Sequence, residues 1–147
     1  RPCNGSISSI SGMSLSAEAE IEIPFFDVDP MQVAWHGHYV KYFEVARCAM
    51  LRVIDYDYPK MQASGYLFPV VELYLRYVNP ARYGQVVIAK AELLEYENRL
   101  KIGYAITDRA SGQRLTKGWS IQVAIDAKTN ELQFVWPKIL LDKMRGR

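Results

Sequence analysis

The clearest pattern of hydrophobic and polar positions lies between residues 39 and 53 and has the period of a helix. Apolar residues recur there at alternating steps of four and three, while charged residues fall on the other faces. The apolar face consists of Tyr39, Phe43, Ala46, Met50 and Val53. This spacing predicts an amphipathic helix of roughly four to five turns. Residues 56–59 end it, because proline disfavours a helical residue before it.

Most of the remaining chain changes to a period of two, which is typical of strands. The predicted strands span residues 19–26 before the helix and 71–77, 86–94, 100–107 and 115–125 after it. Turn-forming residues such as Asn79-Pro80 separate them, and Pro137 is well placed to begin a short terminal helix that reaches Met144. One long helix followed by a meander of antiparallel strands predicts an α+β domain in which the sheet wraps the helix.

Composition agrees with one globular domain. The chain has 147 residues, of which 50% are hydrophobic and 23% charged, so it can bury a core without disulfides or a structural metal. We predict that residues 1–13 are a disordered tail or an expression remnant and that residues 14–147 form a single domain. A single helix covers only part of such a sheet, and aromatic residues such as Tyr74 and Trp136 are expected at the surface. A homo-oligomer is therefore expected.

Charge and cysteine content argue against several classes of partner. The 18 basic and 16 acidic side chains nearly cancel and form no basic block, so nucleic acid is not an expected partner. No apolar run approaches the length that spans a bilayer, and no signal-peptide pattern begins the chain. The two cysteines form no CxxC site, which favours a reducing compartment. We therefore expect a cytoplasmic protein without a membrane partner.

The densest group of titratable side chains spans the end of the first strand and the start of the helix. Its members are Asp27, Asp29, His36, His38, Tyr39 and Glu44. The first N–H groups of a helix lack internal partners, and the helix dipole favours negative charge beside them, so they can hold an oxyanion. Asp29 can supply an attacking carboxylate or activate water there, although an aspartate before a helix is more often a cap.

Other chemistries find little support in the sequence. His36 and His38 have the spacing of two ligands on one face of a strand, but no third ligand is evident nearby, so no metal site is predicted. The chain contains neither a G-x-S-x-G nucleophile turn nor a glycine-rich phosphate loop. Hydrolysis by a carboxylate remains the open option.

The segment from Asp27 to Arg47 carries a more specific pattern. It reads D-x-D, then a histidine seven residues after the second aspartate, then Y-x-x-Y-x-E-x-A-R. This pattern resembles the hotdog-fold acyl-CoA thioesterases of the 4-hydroxybenzoyl-CoA thioesterase type, and the resemblance extends from about Ile21 to Asp126 because the element order also matches. It implies a hotdog fold, in which a five- to six-stranded antiparallel sheet wraps a long central helix. It also implies a homodimer or homotetramer with active sites between subunits.

The resemblance further implies roles for single residues. Asp29 corresponds to the catalytic carboxylate, acting as nucleophile or general base, and His36 to the residue whose backbone N–H polarises the thioester carbonyl. Tyr39, Val33 and Trp35 are expected to bind the substrate. No metal or separate cofactor is expected, because coenzyme A or phosphopantetheine belongs to the substrate itself.

The implied activity is hydrolysis of an acyl-CoA or acyl-carrier-protein thioester to free acid and thiol. Similar proteins occur in bacterial gene clusters for polyketide-like lipids, so a carrier-protein partner stays open beside the small-molecule thioester. Two alternatives also stay open: a hotdog dehydratase or hydratase, and a non-catalytic module that binds acyl groups. Asp27 is expected to be structural. The run Pro30-Met31-Gln32 stands where the family often has glycine, which is expected to reshape the acyl pocket.

Overall fold

A computed structural model describes residues 15–134 and 137–145 of the chain. In chain order its elements are β1 (Ser16–Glu22), α1 (Tyr39–Val53), α2 (Tyr58–Ala63), β2 (Tyr66–Leu67), β3 (Val70–Tyr77), β4 (Val86–Glu95), β5 (Leu100–Asp108), β6 (Arg114–Gln122), β7 (Ala124–Asp126), β8 (Leu132–Gln133) and α3 (Lys138–Arg145). Two short 3₁₀ turns, Phe25–Asp27 and His36–His38, lie between β1 and α1. The tail predicted at residues 1–13 lies outside the described residues.

Five antiparallel strands form the main sheet, in the spatial order β1-β4-β5-β6-β3. Strand β3 follows the helices along the chain but lies at one edge of this sheet. A smaller sheet of β2, β7 and β8 lies beyond the end of β6. The arrangement confirms the predicted α+β class, with one long helix and a five-stranded antiparallel sheet.

Helix α1 packs its apolar face against β1 and β4, with a lesser contact to β5. Phe43, Ala46 and Met50 are buried, and the Phe43 ring stacks on the ring of Tyr104 in β5 with 4.4 Å between centroids. Each large apolar side chain buried in this way stabilises the fold by roughly 1.5–3 kcal/mol. The helix thus covers β1, β4 and part of β5, and the Phe43 ring extends this cover to β6 at Gly118, whereas most side chains of the edge strand β3 are exposed.

Two of the predicted strands differ from the strands in the structure. Strand β1 ends at Glu22 rather than at Phe26, because Pro24 has no N–H for strand pairing and the chain turns into a 3₁₀ helix there. The predicted strand at 115–125 divides into β6 and β7, which belong to different sheets. The terminal helix is present as α3, and no helix within the described ranges is long and apolar enough to cross a membrane.

Candidate active site

A tight hairpin places Asp29 beside the start of α1. The Asp29 N–H donates to the carbonyl of Val33 at 2.9 Å, and the Gln32 N–H donates to the carbonyl of Asp29 at 2.8 Å. Val28 and Ala34 form the bridge at its base. This pattern is a three-residue loop in which the last loop residue takes a left-handed backbone, and Gln32 has a φ of 65°.

The residues that depart from the family pattern build this hairpin. Pro30 occupies the first inner position of the turn, where its fixed φ is favoured. The Asp29 Oδ1 atom accepts a 2.9 Å hydrogen bond from the N–H of Met31, two residues along the chain. The turn therefore holds the carboxylate by one oxygen and fixes the direction in which it points.

The chain then enters the helix through residues that leave backbone donors available. Trp35 donates its N–H to the carbonyl of Asp27 at 3.0 Å, and His38 donates to Trp35 at 2.9 Å. The N–H groups of His36 and Gly37 have no hydrogen-bond partner within the part of the chain that the structure describes. The 3₁₀ turn runs directly into α1, so these two donors lie at the positive end of the helix dipole.

Tyr39 is buried at the first position of α1 and is oriented by a backbone contact. Its hydroxyl oxygen accepts a 3.0 Å hydrogen bond from the N–H of Ala81. Burial raises the pKa of the Tyr39 phenol. The hydrogen bond from Ala81 lowers this pKa by less than burial raises it, and the charges of Tyr77 and Asp29 add smaller increases. Tyr39 is therefore protonated at neutral pH and keeps its own proton to donate.

These residues surround a cavity of about 270 Å³ beside the helix start. Its walls consist of Asp29, Met31, Val33, Ala34, His36, Tyr39, Tyr77, Val78, Asn79 and Pro80. Four of the five predicted site residues thus meet at one cavity. Trp35 is the exception, because its half-exposed indole lies over Gly37 and against the rings of His36 and His38.

Residues at the end of β3 complete the cavity and were absent from the predicted site. Tyr77 donates its hydroxyl to the backbone carbonyl of His36 at 2.8 Å, and its ring lies 5.4 Å from that of Tyr39. Asn79 and Pro80 line the wall beyond it. The sequence pattern assigned Tyr77 to a strand and Asn79 to a turn, and nothing in it brings either to the helix start 41 residues away.

Asp27 lies outside the cavity lining and has the structural position expected from the sequence. It is buried, and it accepts hydrogen bonds from Lys41 Nζ at 2.7 Å and from the Tyr42 hydroxyl at 2.6 Å. Burial alone raises the pKa of the Asp27 carboxyl. The bonds from Lys41 and Tyr42, with the charges of Lys41 and His38, outweigh burial and hold this pKa below its usual value. Asp27 therefore joins the end of the first strand segment to α1 as a carboxylate.

The two histidines have different neighbours. His36 is exposed and its ring lies 6.3 Å from that of Tyr77, whereas His38 Nε2 lies 4.0 Å from Asp27 Oδ1. Glu44 is exposed on α1. Among residues 15–134 and 137–145, no group of three or more His, Cys, Asp or Glu side chains is arranged to hold a metal ion.

One long helix against a five-stranded antiparallel sheet, with an aspartate facing the helix start, defines a hotdog-fold protein. Residues 23–143 match the family model described as the thioesterase-like superfamily, and the chain belongs to that superfamily. These findings confirm the resemblance inferred from the sequence.

Individual relatives agree with this assignment. The chain is 27% identical over 114 residues to a Bacillus subtilis (strain 168) protein provisionally named acyl-CoA thioesterase YneP, covering 77% of this chain and 82% of that protein. It is 31% identical over 113 residues to a Synechocystis sp. protein provisionally named esterase sll0410, covering 76% and 68%. The crystal structure of DHNA-CoA thioesterase from Staphylococcus aureus matches with a TM-score of 0.76 and 25% identity, covering 90% of this chain and 95% of that one.

Proposed function

We propose that this protein hydrolyses an acyl-CoA thioester to a free acid and a thiol at the cavity beside α1. The observation that carries the proposal is the presence of the Asp29 carboxylate and the helix-start residue His36 at one cavity. The family assignment and a relative named as an acyl-CoA thioesterase support the reaction class. The cavity of about 270 Å³ is large enough for the reacting end of a thioester, with the rest of the substrate outside.

In the proposed reaction the thioester carbonyl oxygen accepts a hydrogen bond from the N–H of His36. Asp29 either attacks the carbonyl carbon to form an acyl anhydride that water then cleaves, or removes a proton from the water that attacks. Both routes develop negative charge on the carbonyl oxygen, where helix-start donors are expected to lower the barrier. In both routes the carbon–sulfur bond breaks and the thiolate leaves. Water supplies the hydroxyl that ends on the acyl carbon and the proton that ends on the thiol, and Asp29 is again a carboxylate.

Tyr39 and Val33 are proposed to contact the acyl group. The hydroxyl oxygen of Tyr39 is already bonded to Ala81, so its proton is free to be donated to Asp29 or to the substrate. Val33 adds an apolar side chain to the cavity wall. The substrate contact expected for Trp35 stays a prediction. Such a contact requires an acyl thioester that extends past Gly37.

We propose a homodimer joined along β3. This edge strand leaves one side of its backbone unpaired in the main sheet, and most of its apolar side chains are exposed. Pairing of β3 with the same strand of a second copy is a symmetric contact that extends the sheet and covers Leu73 and Tyr77. Light scattering should give twice the chain mass of 16.9 kDa. The Leu73→Asp substitution should shift the measured mass toward that of the monomer. Leu132 is exposed on β8, and the control Leu132→Asp should leave the mass unchanged.

Coenzyme A is the proposed carrier of the acyl group. An acyl carrier protein presents the same phosphopantetheine arm. The same acyl group loaded on coenzyme A and on a carrier protein should be compared, and faster thiol release from coenzyme A is expected. Faster release from the carrier protein would reverse the choice of carrier and leave the reaction unchanged.

The deciding experiment measures thiol release from a panel of aromatic and short- to long-chain aliphatic acyl-CoA thioesters. Asp29→Asn should lower turnover by on the order of 100-fold or more, with an unchanged thermal midpoint. Asp142→Asn is the matched control, because it is the same substitution at an exposed position of α3. Unchanged turnover in Asp29→Asn would remove Asp29 from the mechanism.

The same panel separates the alternative functions. Formation or hydration of a carbon–carbon double bond without thiol release would identify a dehydratase or hydratase. Tight binding of acyl thioesters without hydrolysis at any pH would identify a binding module. Either result would contradict the proposed hydrolysis.

A further inference from the structure

The face of the main sheet that points away from α1 carries a second depression, with a volume of about 530 Å³. We call it the basic basin. The side chains that argue for a ligand there are Tyr74, Arg76, Lys90, Arg114, Lys117 and Trp119. The residues of β4 that alternate with Lys90, such as Ala89 and Ala91, are buried under α1. The basin is therefore separate from the candidate active site.

The basin forms because the side chains of the central strand β5 are small on this face, whereas those of its neighbours β4 and β6 are long. Ala105 in β5 pairs with Lys90 on one side and with Lys117 on the other. One step along the same strand face, Gly103 pairs with Trp119. The small side chains of β5 form a floor, and the long side chains of β4 and β6 rise on both sides.

The charge of the basin is strongly one-sided. Four cations line it, Arg76, Lys90, Arg114 and Lys117, against the single carboxylate of Glu92. None of the four takes part in an ion pair within the described residues. Arg76 and Lys117 lie directly opposite each other on β3 and β6. Like charges in that position repel, so an anion between them would stabilise the sheet.

A flat aromatic surface adjoins these cations. The rings of Trp119 and Tyr74 are stacked, with centroids 5.8 Å apart and planes 20° from parallel. Lys101 Nζ lies 4.9 Å from the Trp119 ring. Tyr74 is the exposed ring of this pair. Exposed aromatic rings bind nucleotides because any base can stack on them.

We propose that the basic basin binds a nucleotide that carries two or more phosphate groups. The phosphates lie among the four cations, where guanidinium and ammonium groups form charge-assisted hydrogen bonds, and the base stacks on the Tyr74–Trp119 pair. A simple inorganic anion would leave the aromatic surface unused. An acyl chain would leave four charges unpaired.

Two sources supply this chemistry: the nucleotide end of coenzyme A, or a free nucleotide. Arg76 and Tyr77 are consecutive in β3, yet Arg76 lines the basin and Tyr77 lines the candidate active site. The two sites therefore lie on opposite faces of the sheet, next to the same end of β3. The coenzyme A source rests on the proposed function, whereas the free-nucleotide source does not.

Binding is tested by calorimetry with ADP and with pyrophosphate as probes. ADP should bind the wild-type protein at millimolar concentration or below. The double variant Arg76→Gln/Lys117→Gln should bind ADP and pyrophosphate about tenfold more weakly, or weaker still. Trp119→Leu should weaken ADP but not pyrophosphate. Lys128→Gln, in the exposed turn after β7, is the charge-matched control and should bind ADP as the wild type does.

Kinetics distinguish the two sources. If the basin holds coenzyme A, the double variant raises KM for an acyl-CoA about tenfold. It leaves KM unchanged for the same acyl group on pantetheine, which has no nucleotide. If the ligand is a free nucleotide, ADP binds but KM for the acyl-CoA is the same in the double variant.

Three results would overturn the proposal. The first is no ADP binding by the wild type together with unchanged KM values in the double variant. The second is equal ADP affinity in the wild type and the double variant. The third is a change in oligomer mass in the double variant without ADP binding, which would show that a second copy occupies this face. If the wild type hydrolyses no thioester, the proposed function fails, and the ADP titration still decides the nucleotide site.

Discussion

The hydroxyl of Tyr77 donates a 2.8 Å hydrogen bond to the backbone carbonyl of His36. This bond joins the last residue of the edge strand β3 to the turn that begins the helical segment. The Tyr77 ring also packs edge-on against Tyr39, the first residue of α1. The position of the helix start, and of the His36 N–H proposed to hold the oxyanion, therefore depends on a residue of the sheet.

Tyr77→Phe should lower kcat about tenfold and change KM little, because small displacements of a catalytic group are costly and the ring itself is retained. The measurement is steady-state thiol release with the best acyl-CoA of the panel, beside a thermal melt. Tyr83→Phe is the matched control, because Tyr83 is exposed and packs on Phe25 away from the cavity. A kcat equal to that of the wild type would show that the bond does not position the helix start.

Asp27→Asn should lower the free energy of unfolding at pH 7 by about 1–3 kcal/mol, because a buried carboxylate is exchanged for an amide opposite Lys41 and Tyr42. The Lys41 side chain is partly exposed, so solvent screens its share. The folded-state pKa of Asp27 lies below its unfolded value of about 3.9. Its contribution to stability is therefore complete above that value and is lost as the pH falls through the folded pKa.

Urea unfolding of wild type and Asp27→Asn at pH 7 and at pH 3 measures this effect. The difference between the two proteins should be large at pH 7 and should shrink at pH 3. Asp142→Asn, exposed on α3, should differ little from wild type at either pH. A difference between wild type and Asp27→Asn that is independent of pH would show that charge on Asp27 does not stabilise the fold.

Arg47→Met should destabilise the protein by about 2–3 kcal/mol, because it removes the donor to a buried hydroxyl. Arg47 is buried, and its Nε donates to the Tyr58 hydroxyl at 2.5 Å while Nη1 donates to the Tyr104 hydroxyl at 3.1 Å. Arg52→Met on the same helix is the control, because half of the Arg52 side chain is exposed. Equal unfolding midpoints for the two variants in urea would contradict the role given to Arg47.

Gly118→Ala should destabilise the protein by about 1–3 kcal/mol through overpacking. A Cβ at Gly118 would lie 2.0 Å from the carbonyl oxygen of Tyr74 and 3.0 Å from Phe43 Cε2, so backbone has to move. Gly103→Ala is the control on the neighbouring strand, since its nearest contact is the flexible end of Leu94 at 3.1 Å. Thermal melts of both variants test the difference, and a smaller loss for Gly118→Ala than for Gly103→Ala would refute it.

The elements that the sequence predicted best are those with a local repeat. Helix α1 begins at Tyr39 and ends at Val53, the bounds set by the first and last apolar positions of the pattern. The start of β1 was missed because Ser16 and Ala17 lack the residue types that mark a strand, although β1 pairs with β4 from Ser16 onward. Pairing with a distant strand decided that boundary.

The polar residues of β6 show a second limit. The alternation placed Trp119 and Ile121 on one face and Ser120 and Gln122 on the other, without indicating which face lies under cover. Ser120 and Gln122 are buried, and hydrogen bonds compensate their burial: Ser120 bonds to the Tyr104 hydroxyl at 2.8 Å and Gln122 Nε2 donates to the Phe68 carbonyl at 2.7 Å. These partners lie 16 and 54 residues away.

The sequence by itself determined the helix, most of the strands and the neighbourhood of Asp29 and His36, because periodicity and turn chemistry act over a few residues. Only the tertiary structure decided that Tyr77 completes the cavity and that Arg76 and Lys117 meet across the outer face of the sheet. Cross-strand register sets both contacts. Register depends on hydrogen bonding and burial over the whole sheet, so it cannot be predicted from a short stretch of sequence.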